Sequence, residues 1–272
     1  MSESFLKASI IYATFNIKKH NLIYNTFIDD TIRYLKSGSS QYANFDYSNG
    51  KLLGDKIGWN KLLDINNTES FFRFCIKHIA ITFKPFWFKI AYLGRKRVFS
   101  ILSEDQLQCF NIAGLTTEIP SEDIIQWWED IYILSREINN LEKLELGKLG
   151  ELKTIELENK RLKNMGIDRV AKRVSIDDNC LGYDVLSYRL NNNDIVELKI
   201  EVKSYSFGVP HFYISLNEWL VAENNTDNFM FYIWNISSDS LLELSPKDIS
   251  EHIPDNNGCG SWQSIKISLN KE

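Results

Sequence analysis

The sequence predicts an α/β protein in which a helix-rich N-terminal domain precedes a C-terminal three-layer α/β domain built on a mixed sheet. Three segments of the first half have helical character, at residues 20–37, 69–80 and 121–145. The second half begins with a helical segment and continues as a meander of strands, a crossover helix and another strand. This order is typical of a sheet whose faces are covered by other elements.

Local signals predict where elements of the first half begin and end. Ser103 is followed three residues later by Gln106, and this capping box predicts the start of a helix. Pro120-Ser121 predicts the start of the helical segment that follows it. Polar clusters predict loops at Ser37–Ser40 and Asn66–Thr68.

The second half is predicted to contain a series of alternating helices and strands. They are a helix at 147–165, a strand at 168–175, a hairpin at 182–203, a strand at 211–214, a helix at 215–224 and a strand at 229–236. The connection from the fourth of these elements through the fifth to the sixth is expected to be right-handed if its two strands are parallel.

We place the domain boundary within residues 139–150, where an acidic helical segment runs into glycines that are expected to begin the next helix. The predicted domains are therefore residues 1–143 and 144–272. A chain of 272 residues accommodates two domains of ordinary size.

The composition predicts a soluble cytoplasmic protein. Apolar residues make up 44% of the chain, but no stretch of about 18 apolar residues is available to span a membrane. The first residues lack the basic and apolar regions of a secretory signal. The four cysteines are widely spaced and lack histidines at ligand spacing, which argues against a structural zinc site and a disulfide framework.

Charge is distributed unevenly along the chain. Residues 1–120 contain 15 basic and 10 acidic side chains, a net charge of +5, whereas residues 121–150 carry −4 and the remainder −6. Phosphate backbones attract basic surfaces. If the chain binds a nucleic acid, we therefore expect the first half or a partner protein to supply much of the contact.

Aromatic and basic residues alternate in the first half, at 71–78 and 83–89, and Arg95, Lys96 and Arg97 follow. Aromatic platforms combined with cations are suited to holding single-stranded nucleic acid. Aromatics at this density are also typical of a hydrophobic core. We expect the three basic residues to form a solvated patch that is able to contact phosphate.

The predicted hairpin brings two carboxylates together. Its polar turn is Asn191–Asp194, and counting outward from the residues that flank this turn places Asp184 opposite Glu201. Directly opposed side chains have Cβ atoms roughly 4.5–5.5 Å apart. Lys203 follows Glu201 by two positions, so it is expected on the same face of the strand.

Two carboxylates and an ammonium on one patch of sheet predict a site for a divalent cation. Mg²⁺ is commonly bound by one or two carboxylates together with waters and a substrate phosphate. A bound cation also reverses the Coulomb repulsion between the two acids. Asp184 and Glu201 are the candidate ligands, and Lys203 is a candidate to hold the attacking water or to stabilise charge on a phosphate.

A plainer interpretation of this segment is an amphipathic edge strand with a solvated ladder of salt bridges. Glu197 and Lys199 form a second Glu-x-Lys pair in the same strand, so the spacing alone is a weak signal. The register of the predicted hairpin distinguishes the two Glu-x-Lys pairs. Glu197 is expected to face Tyr188 and Lys199 to face Leu186, whereas only the later pair meets an acid.

A third carboxylate, Glu151, is predicted in the first turn of the helix at 147–165. Leu149, Leu152 and Ile155 belong to the approximate apolar stripe of this helix. An acid near a helix N-terminus is also ordinary capping electrostatics, worth about 0.3–1 kcal/mol. Both a functional and a purely electrostatic role therefore stay open for Glu151.

Three short motifs carry these acids in order along the second half. They are Gly150-Glu151, Gly182-Tyr183-Asp184 and Ile200-Glu201-Val202-Lys203-Ser204. Further matching segments are Phe212–Ala222 with its Ser-x-Asn-Glu cap, Phe229–Ile236, Leu244–Ile249 and Trp262–Leu269. Together these segments resemble the PD-(D/E)XK nuclease superfamily and, more narrowly, its Mrr-like, protein NO VEIN C-terminal-type domains. The resemblance covers about residues 145–270.

The resemblance implies a restriction-endonuclease-like fold for residues 144–272 and a role for each matched residue. Asp184 and Glu201 would ligate the metal, Lys203 would be the catalytic lysine, and Glu151 would help to hold the metal or orient its water. The implied cofactor is Mg²⁺, for which Mn²⁺ substitutes. One position departs from the family pattern, because the first motif reads Tyr-Asp where Pro-Asp is expected.

The resemblance further implies a metal-dependent endonuclease that hydrolyses DNA phosphodiesters, and family analogy adds a role in prokaryotic defence against phage. Residues 1–143 would then recognise the target or dock a partner, such as an activating ATPase. A homodimer would supply the two active sites that double-strand cutting needs. Two alternatives stay open: a non-catalytic subunit that binds nucleic acid or protein on the same fold, and a nuclease that cleaves RNA.

Overall fold

The computed structural model describes residues 5–38, 40–61, 67–176, 180–256 and 259–269. The chain divides into two compact units, residues 1–140 and residues 141–272, which we call unit 1 and unit 2. Unit 1 is helical and unit 2 contains the strands. The predicted combination of a helix-rich N-terminal part with a C-terminal mixed α/β sheet is therefore confirmed.

Unit 1 consists of α-helices joined by short connections. They are α1 (Ala8–Tyr24), α2 (Ile28–Gly38), α3 (Ser40–Ala43), α4 (Tyr47–Ile57), α5 (Thr68–Phe83), α6 (Phe86–Lys89), α7 (Arg95–Phe99), α8 (Glu104–Ile112) and the first part of α9 (Glu122–Asn164). Their apolar sides meet in a core that includes Ile11, Phe72 and Phe110. Among the helices in the described residues, none combines the length and apolar character that crossing a bilayer requires.

The aromatic segments of unit 1 belong mostly to this core. The buried members are Phe71, Phe72, Trp87 and Phe88. Phe74 and Phe86 are exposed. The core interpretation therefore accounts for most of these rings, and a stacking role is left for the two exposed ones.

Two predicted boundaries in unit 1 were wrong. Residues 20–37 do not form one helix, because Asn25 adopts a left-handed conformation with φ of 48° that ends α1 before α2 begins. Within the predicted loop Ser37–Ser40, α2 continues to Gly38 and α3 begins at Ser40, whereas Ser39 lies outside the described residues. Short polar residues favour loops only weakly, and local helix formation prevailed here.

Other start signals in unit 1 were confirmed. Ser103 and Gln106 form the predicted capping box at the start of α8. The loop predicted at Asn66–Thr68 is only partly present: Asn67 caps α5 by accepting from the Ser70 backbone N–H at 3.1 Å, Thr68 is already the first residue of α5, and Asn66 lies outside the described residues. The long helix α9 begins shortly after Pro120-Ser121, as predicted.

Unit 2 contains seven strands in the part of the chain that is described, together with two helices after α9. The elements are β1 (Lys172–Arg173), β2 (Val185–Asn191), β3 (Asp194–Tyr205), β4 (His211–Ser215), α10 (Leu216–Glu223), β5 (Phe229–Asn235), β6 (Ser240–Leu244), α11 (Pro246–Ser250) and β7 (Ser264–Ser268). The main sheet has the order β1-β2-β3-β5-β6, and β4 pairs with β7 separately. Only β3 and β5 are parallel neighbours among these strands.

The main sheet lies between two layers. On one face, the second part of α9 packs through Ile155 and Leu162 against a cluster that includes Ile200. The other face carries Phe231, which packs in a cluster with Trp219 of α10 and with residues of α11 and the β4–β7 pair. Because side chains alternate along a strand, β3 directs its even-numbered residues toward α9 and its odd-numbered residues toward α10.

The long helix differs from its prediction. α9 runs unbroken from Glu122 to Asn164, so Gly147 and Gly150 lie inside it and Glu151 is far from its first turn. Glycine inside a helix costs about 1 kcal/mol relative to alanine, which packing against the sheet is able to offset. The glycines therefore do not begin a helix, and a capping role for Glu151 is excluded.

Two strand predictions also needed correction. The strand predicted at 168–175 is confined to Lys172–Arg173. The predicted strand at 211–214 is present as β4, but it pairs with β7 rather than joining the main sheet. The parallel neighbour of β5 is consequently β3, so the connection that returns to the main sheet starts from β3 and includes both β4 and α10.

Gly150 allows α9 to lie close to β3. A Cβ atom added at Gly150 would lie 2.1 Å from Ser204 Oγ and 3.2 Å from Val202 Cγ1. Ser204 Oγ is buried and has no hydrogen-bond partner among the described residues. The hydroxyl is therefore the atom that an alanine at this position would displace.

We expect Gly150→Ala to lower the free energy of unfolding by about 1–2 kcal/mol, because overpacking outweighs the gain in helix propensity. In a Ser204→Ala background the same change should be neutral or stabilising, since the displaced hydroxyl is gone. Urea denaturation of the single and double variants measures the difference. Equal destabilisation in both backgrounds would contradict a close approach at Ser204.

Candidate functional site

The β2–β3 hairpin has the predicted register. Val185 pairs with Ile200, and one position further the Asp184 backbone N–H donates to the Ile200 carbonyl at 3.0 Å. The Asp184 carboxylate accepts from the Val202 backbone N–H, which lies 2.9 Å from Oδ2. These two bonds hold Asp184 beside the strand that carries Glu201.

Lys203 projects from the same face of β3 as Glu201. Its Nζ donates to Glu201 Oε1 at 2.5 Å and to Glu218 Oε2 at 2.9 Å. Glu218 belongs to the first turn of α10. The ammonium therefore joins the main sheet to the helix that covers it, and three acids and one base meet at this place.

Burial dominates the electrostatics of the two predicted ligands. Glu201 is only 4% exposed. This burial raises the pKa of Glu201 well above its ordinary value despite the opposing Lys203 ammonium, and the Asp184 carboxylate adds to the increase. Burial also raises the pKa of Asp184 to about 6, while its bond from the Val202 N–H acts in the opposite direction.

The charge of Lys203 is secured by its partners. Burial alone would lower the pKa of Lys203, but the Glu201 and Glu218 carboxylates outweigh this effect and raise the pKa above its ordinary value. One ammonium does not neutralise three ionised carboxylates. An additional cation would therefore be favoured at this cluster, because it offsets the remaining repulsion between the acids.

Glu151 reaches the site from the α9 side of the sheet. Its Oε2 accepts from Arg173 Nε and from Ser175 Oγ, the latter at 3.0 Å. The Glu151 charge is close enough to Asp184 to contribute to the raised pKa of that acid. The structure thus brings Glu151 near the other predicted residues, with its carboxylate engaged by Arg173 and Ser175.

A small cleft of about 70 Å³ opens at this cluster. Its lining residues are Ser175, Gly182, Tyr183, Asp184, Glu201, Ser215, Asn217 and Glu218. The space is sufficient for a few water molecules or for a cation with part of its hydration shell. Both predicted ligands border it.

The donor set of the cleft fits a hard divalent cation. Within the described ranges, no group of three or more His, Cys, Asp or Glu side chains is arranged to hold a metal ion. Mg²⁺, however, takes one or two protein carboxylates and keeps several waters. Asp184 and Glu201 supply two carboxylates whose ionised forms are disfavoured by burial and stabilised by a cation.

The second Glu-x-Lys pair faces no acid across the hairpin, as predicted. Glu197 pairs with Tyr188 and Lys199 with Leu186 across the hairpin. Lys199 Nζ donates to Asn225 Oδ1 at 2.7 Å. Lys199 therefore provides a control for Lys203 on the same strand.

Three residues of the cluster were missed in the sequence prediction. Arg173 and Ser175 lie in the short segment around β1, where nothing in the local sequence indicates a contact with Glu151. Glu218 carried a partial signal, because its place in the Ser215 capping box requires its side chain to turn back toward the start of α10. The first turn of α10 approaches Lys203 only through the tertiary fold. The sequence around Glu218 therefore does not indicate this contact.

Comparison with known proteins finds one family match. A family model described as Protein NO VEIN, C-terminal matches residues 150–244. The matched region includes Glu151, Asp184, Glu201, Lys203 and Glu218. No curated protein and no solved structure matches the chain. The narrower part of the resemblance seen in the sequence is thereby supported.

Proposed function

We propose that unit 2 is a restriction-endonuclease-like domain of the PD-(D/E)XK type and that it hydrolyses DNA phosphodiester bonds with the help of Mg²⁺. The observation that carries this proposal is the meeting of Asp184 and Glu201 at one cleft, with the Lys203 ammonium bonded to Glu201. The two acids lie opposite each other at the open end of the β2–β3 hairpin, and the lysine bonds Glu201 at 2.5 Å. The family match over residues 150–244 is consistent with the proposal.

In this proposal Asp184 and Glu201 hold Mg²⁺, or Mn²⁺ in its place. When bound, the ion supplies Lewis-acid activation of a water and of a phosphoryl oxygen. The Val202 N–H holds the Asp184 carboxylate in place. Lys203 presents a fixed ammonium, which orients the attacking water or stabilises the negative charge that develops on the phosphate.

Glu151 has a supporting role in this arrangement. Ser175 donates to Glu151 and also lines the cleft, so it connects the acid on α9 to the reacting groups. The Arg173 guanidinium compensates the Glu151 charge. We therefore propose that Glu151 helps to hold the metal or orient its water through the Ser175 side of the cleft.

The wider context is also a proposal. Residues 1–120 carry a net charge of +5, which suits contact with a polyanion such as DNA. We propose that unit 1 recognises the target or docks an activating ATPase, that a homodimer supplies two active sites, and that the protein acts in the cytoplasm of a prokaryote in defence against phage.

A second candidate function is a non-catalytic subunit that binds nucleic acid or protein. One observation favours it: Lys203 is already bonded by two carboxylates and Glu151 by Arg173. Ion pairs of this kind also occur where they have only a structural role. Activity measurements distinguish the two candidates.

The test is cleavage of supercoiled plasmid, linear duplex and single-stranded DNA, and of RNA of matched sequence, with Mg²⁺, with Mn²⁺ and with EDTA. We expect DNA cleavage that requires the metal. Lys203→Ala should reduce the rate by about 10²–10³-fold, the effect typical of losing one charge-stabilising donor. Lys199→Ala, the matched control, should leave the rate unchanged.

The other outcomes have definite meanings. Cleavage of RNA but not DNA would replace the proposed substrate. A folded protein that cleaves none of these substrates with either metal would reject a nuclease that acts alone and favour a subunit that needs an activating partner, such as an ATPase. Equal rates for Lys203→Ala and the unsubstituted protein would reject the proposed role of Lys203.

A further inference from the structure

One carboxylate oxygen of Glu218, Oε2, accepts hydrogen bonds both from the start of its own helix and from Lys203. The Ser215 backbone N–H donates to Glu218 Oε2 at 3.0 Å, and the Glu218 N–H donates to Ser215 Oγ at 3.2 Å. These bonds form the capping box that begins α10. The same Oε2 also accepts from Lys203 Nζ at 2.9 Å. Glu218 therefore serves both a helix end and the proposed active site.

Helix capping alone does not require a carboxylate at position 218. α8 begins with the same kind of box, in which the Ser103 N–H donates to Gln106 Oε1 at 3.0 Å and the Gln106 N–H donates to Ser103 Oγ at 3.4 Å. A neutral amide is thus sufficient for a capping box in this chain, as it is in general. The negative charge of Glu218 is therefore not required by the box and is available for a second contact, and the cation that lies against it is Lys203.

The first turn of α10 is braced against the segment that leads to Asp184. Asn217 Nδ2 donates to the Cys180 carbonyl at 3.0 Å. Gly182 has φ of +73°, and a Cβ atom there would lie 2.8 Å from Val221 Cγ2. The close packing at Gly182 fixes the start of α10 relative to Asp184. Glu218 is therefore carried on a rigid support when it contacts Lys203.

A lysine with one acidic partner would be poorly placed in a working metal site. Lys203 has a flexible side chain with several rotatable bonds, and a single contact restrains it weakly. Its first partner, Glu201, is also a proposed metal ligand. When Glu201 binds a divalent cation, the carboxylate attracts the ammonium less and the cation repels it. A second carboxylate outside the ligand pair would keep the ammonium at the cleft.

We propose that Glu218 is a positioning residue that holds the Lys203 ammonium at the cleft while Asp184 and Glu201 bind the metal. This inference deepens the proposed nuclease function and rests on it for its catalytic consequence. The arrangement of Lys203 itself is independent of the reaction. The two ideas can therefore fail separately.

The decisive variant is Glu218→Gln, which keeps an oxygen for the capping box and removes the charge opposite Lys203. We expect its thermal unfolding midpoint to stay close to that of the unsubstituted protein. We expect kcat for DNA cleavage to fall about 10–100-fold, as for a misplaced reacting group, with KM little changed. Gln106→Ala, which disrupts the other capping box, should lower stability and leave kcat unchanged.

A second readout does not depend on cleavage. The rate of reductive methylation at each lysine is measured by mass spectrometry in the full chain, without metal and with Mg²⁺. Glu218→Gln should accelerate modification of Lys203 several-fold, more so with Mg²⁺, and leave Lys199 unaffected. Glu218→Asp keeps the charge and should restore part of the protection, since Asp248 forms the capping box of α11 in this chain.

Each outcome decides one idea. Unchanged Lys203 modification and unchanged kcat in Glu218→Gln would overturn the positioning role. Accelerated modification in a protein that cleaves no nucleic acid would retain the positioning role and reject the nuclease function. A large loss of stability in Glu218→Gln, with no recovery of Lys203 protection in Glu218→Asp, would reduce Glu218 to a helix cap and overturn the inference.

Discussion

Asp184→Asn is expected to abolish DNA cleavage and at the same time to stabilise the protein at neutral pH. Burial raises the pKa of Asp184 to about 6, so the ionised carboxylate is less favourable in the folded protein than in the unfolded chain. Asparagine keeps an oxygen for the Val202 N–H and removes the buried charge. We expect a gain of about 1–3 kcal/mol in the free energy of unfolding at pH 7, at 1.4 kcal/mol per pKa unit.

The activity of this variant should fall by about 10³-fold or more, because a neutral amide replaces one of two proposed anionic ligands. Asp194→Asn is a matched control, since Asp194 is an exposed acid of the same hairpin. It should change neither stability nor cleavage measurably. Added Mg²⁺ should raise the unfolding midpoint of the unsubstituted protein more than that of Asp184→Asn.

The stability gain has a definite pH dependence. The Asp184 carboxyl titrates near pH 3.8 at its ordinary pKa and at about 6 in the folded protein. Between these values the folded state binds more protons, so the contribution of Asp184 to stability falls as the pH rises through this window. The advantage of Asp184→Asn should be complete above pH 6 and absent below the ordinary pKa. A variant that is less stable at pH 7, or equally affected at every pH, would contradict the buried-charge explanation.

Glu158→Ala is expected to lower the free energy of unfolding by about 3–4 kcal/mol, because it removes a buried acceptor from several donors at once. Glu158 lies on α9 and is 2% exposed. Its carboxylate accepts from Ser187 Oγ at 2.7 Å and Tyr232 OH at 2.9 Å, and it pairs with Arg161 at 3.1 Å. The change would loosen the helix that carries Glu151 from the sheet that carries Glu201.

Glu243→Ala is the matched control for this prediction. Glu243 accepts two bonds from the same Arg161 guanidinium, at 2.9 and 2.5 Å, but its side chain is 35% exposed. A partly exposed ion pair contributes only about 1 kcal/mol or less. Urea denaturation at pH 7 compares the two variants. Similar losses for Glu158→Ala and Glu243→Ala would contradict the role assigned to burial.

The hairpin could be predicted because its signals are local. Asn192 and Asn193 both adopt positive φ, 49° and 73°, as the tight turn of a two-residue hairpin loop requires. Once the turn was placed, the period of two along a strand determined which side chains meet. The proximity of Asp184 and Glu201 followed from this register, and the common face of Glu201 and Lys203 followed from the period.

The features that were predicted wrongly or missed depend on contacts between residues that are distant in the chain. Gly150 was interpreted as the start of a helix, but it is required where α9 lies against Ser204. The strand at 211–214 was predicted without a partner, because its partner β7 lies about fifty residues further along. The Lys203–Glu218 and Glu151–Arg173 pairs are tertiary in the same sense, so neither had a signature in the local sequence.

The strand that carries Glu201 and Lys203 pairs with β2 through its first part, Asp194–Ile200, and with β5 through its last part, Lys199–Tyr205. Fluctuations that open a sheet begin at its outermost strands, which here are β1 and β6. Partial opening of these margins leaves the middle of the sheet intact. We therefore expect the backbone amides of β3 around Glu201 and Lys203 to exchange hydrogen more slowly than those of β1 and β6, because this part of β3 lies inside the sheet and pairs with β5.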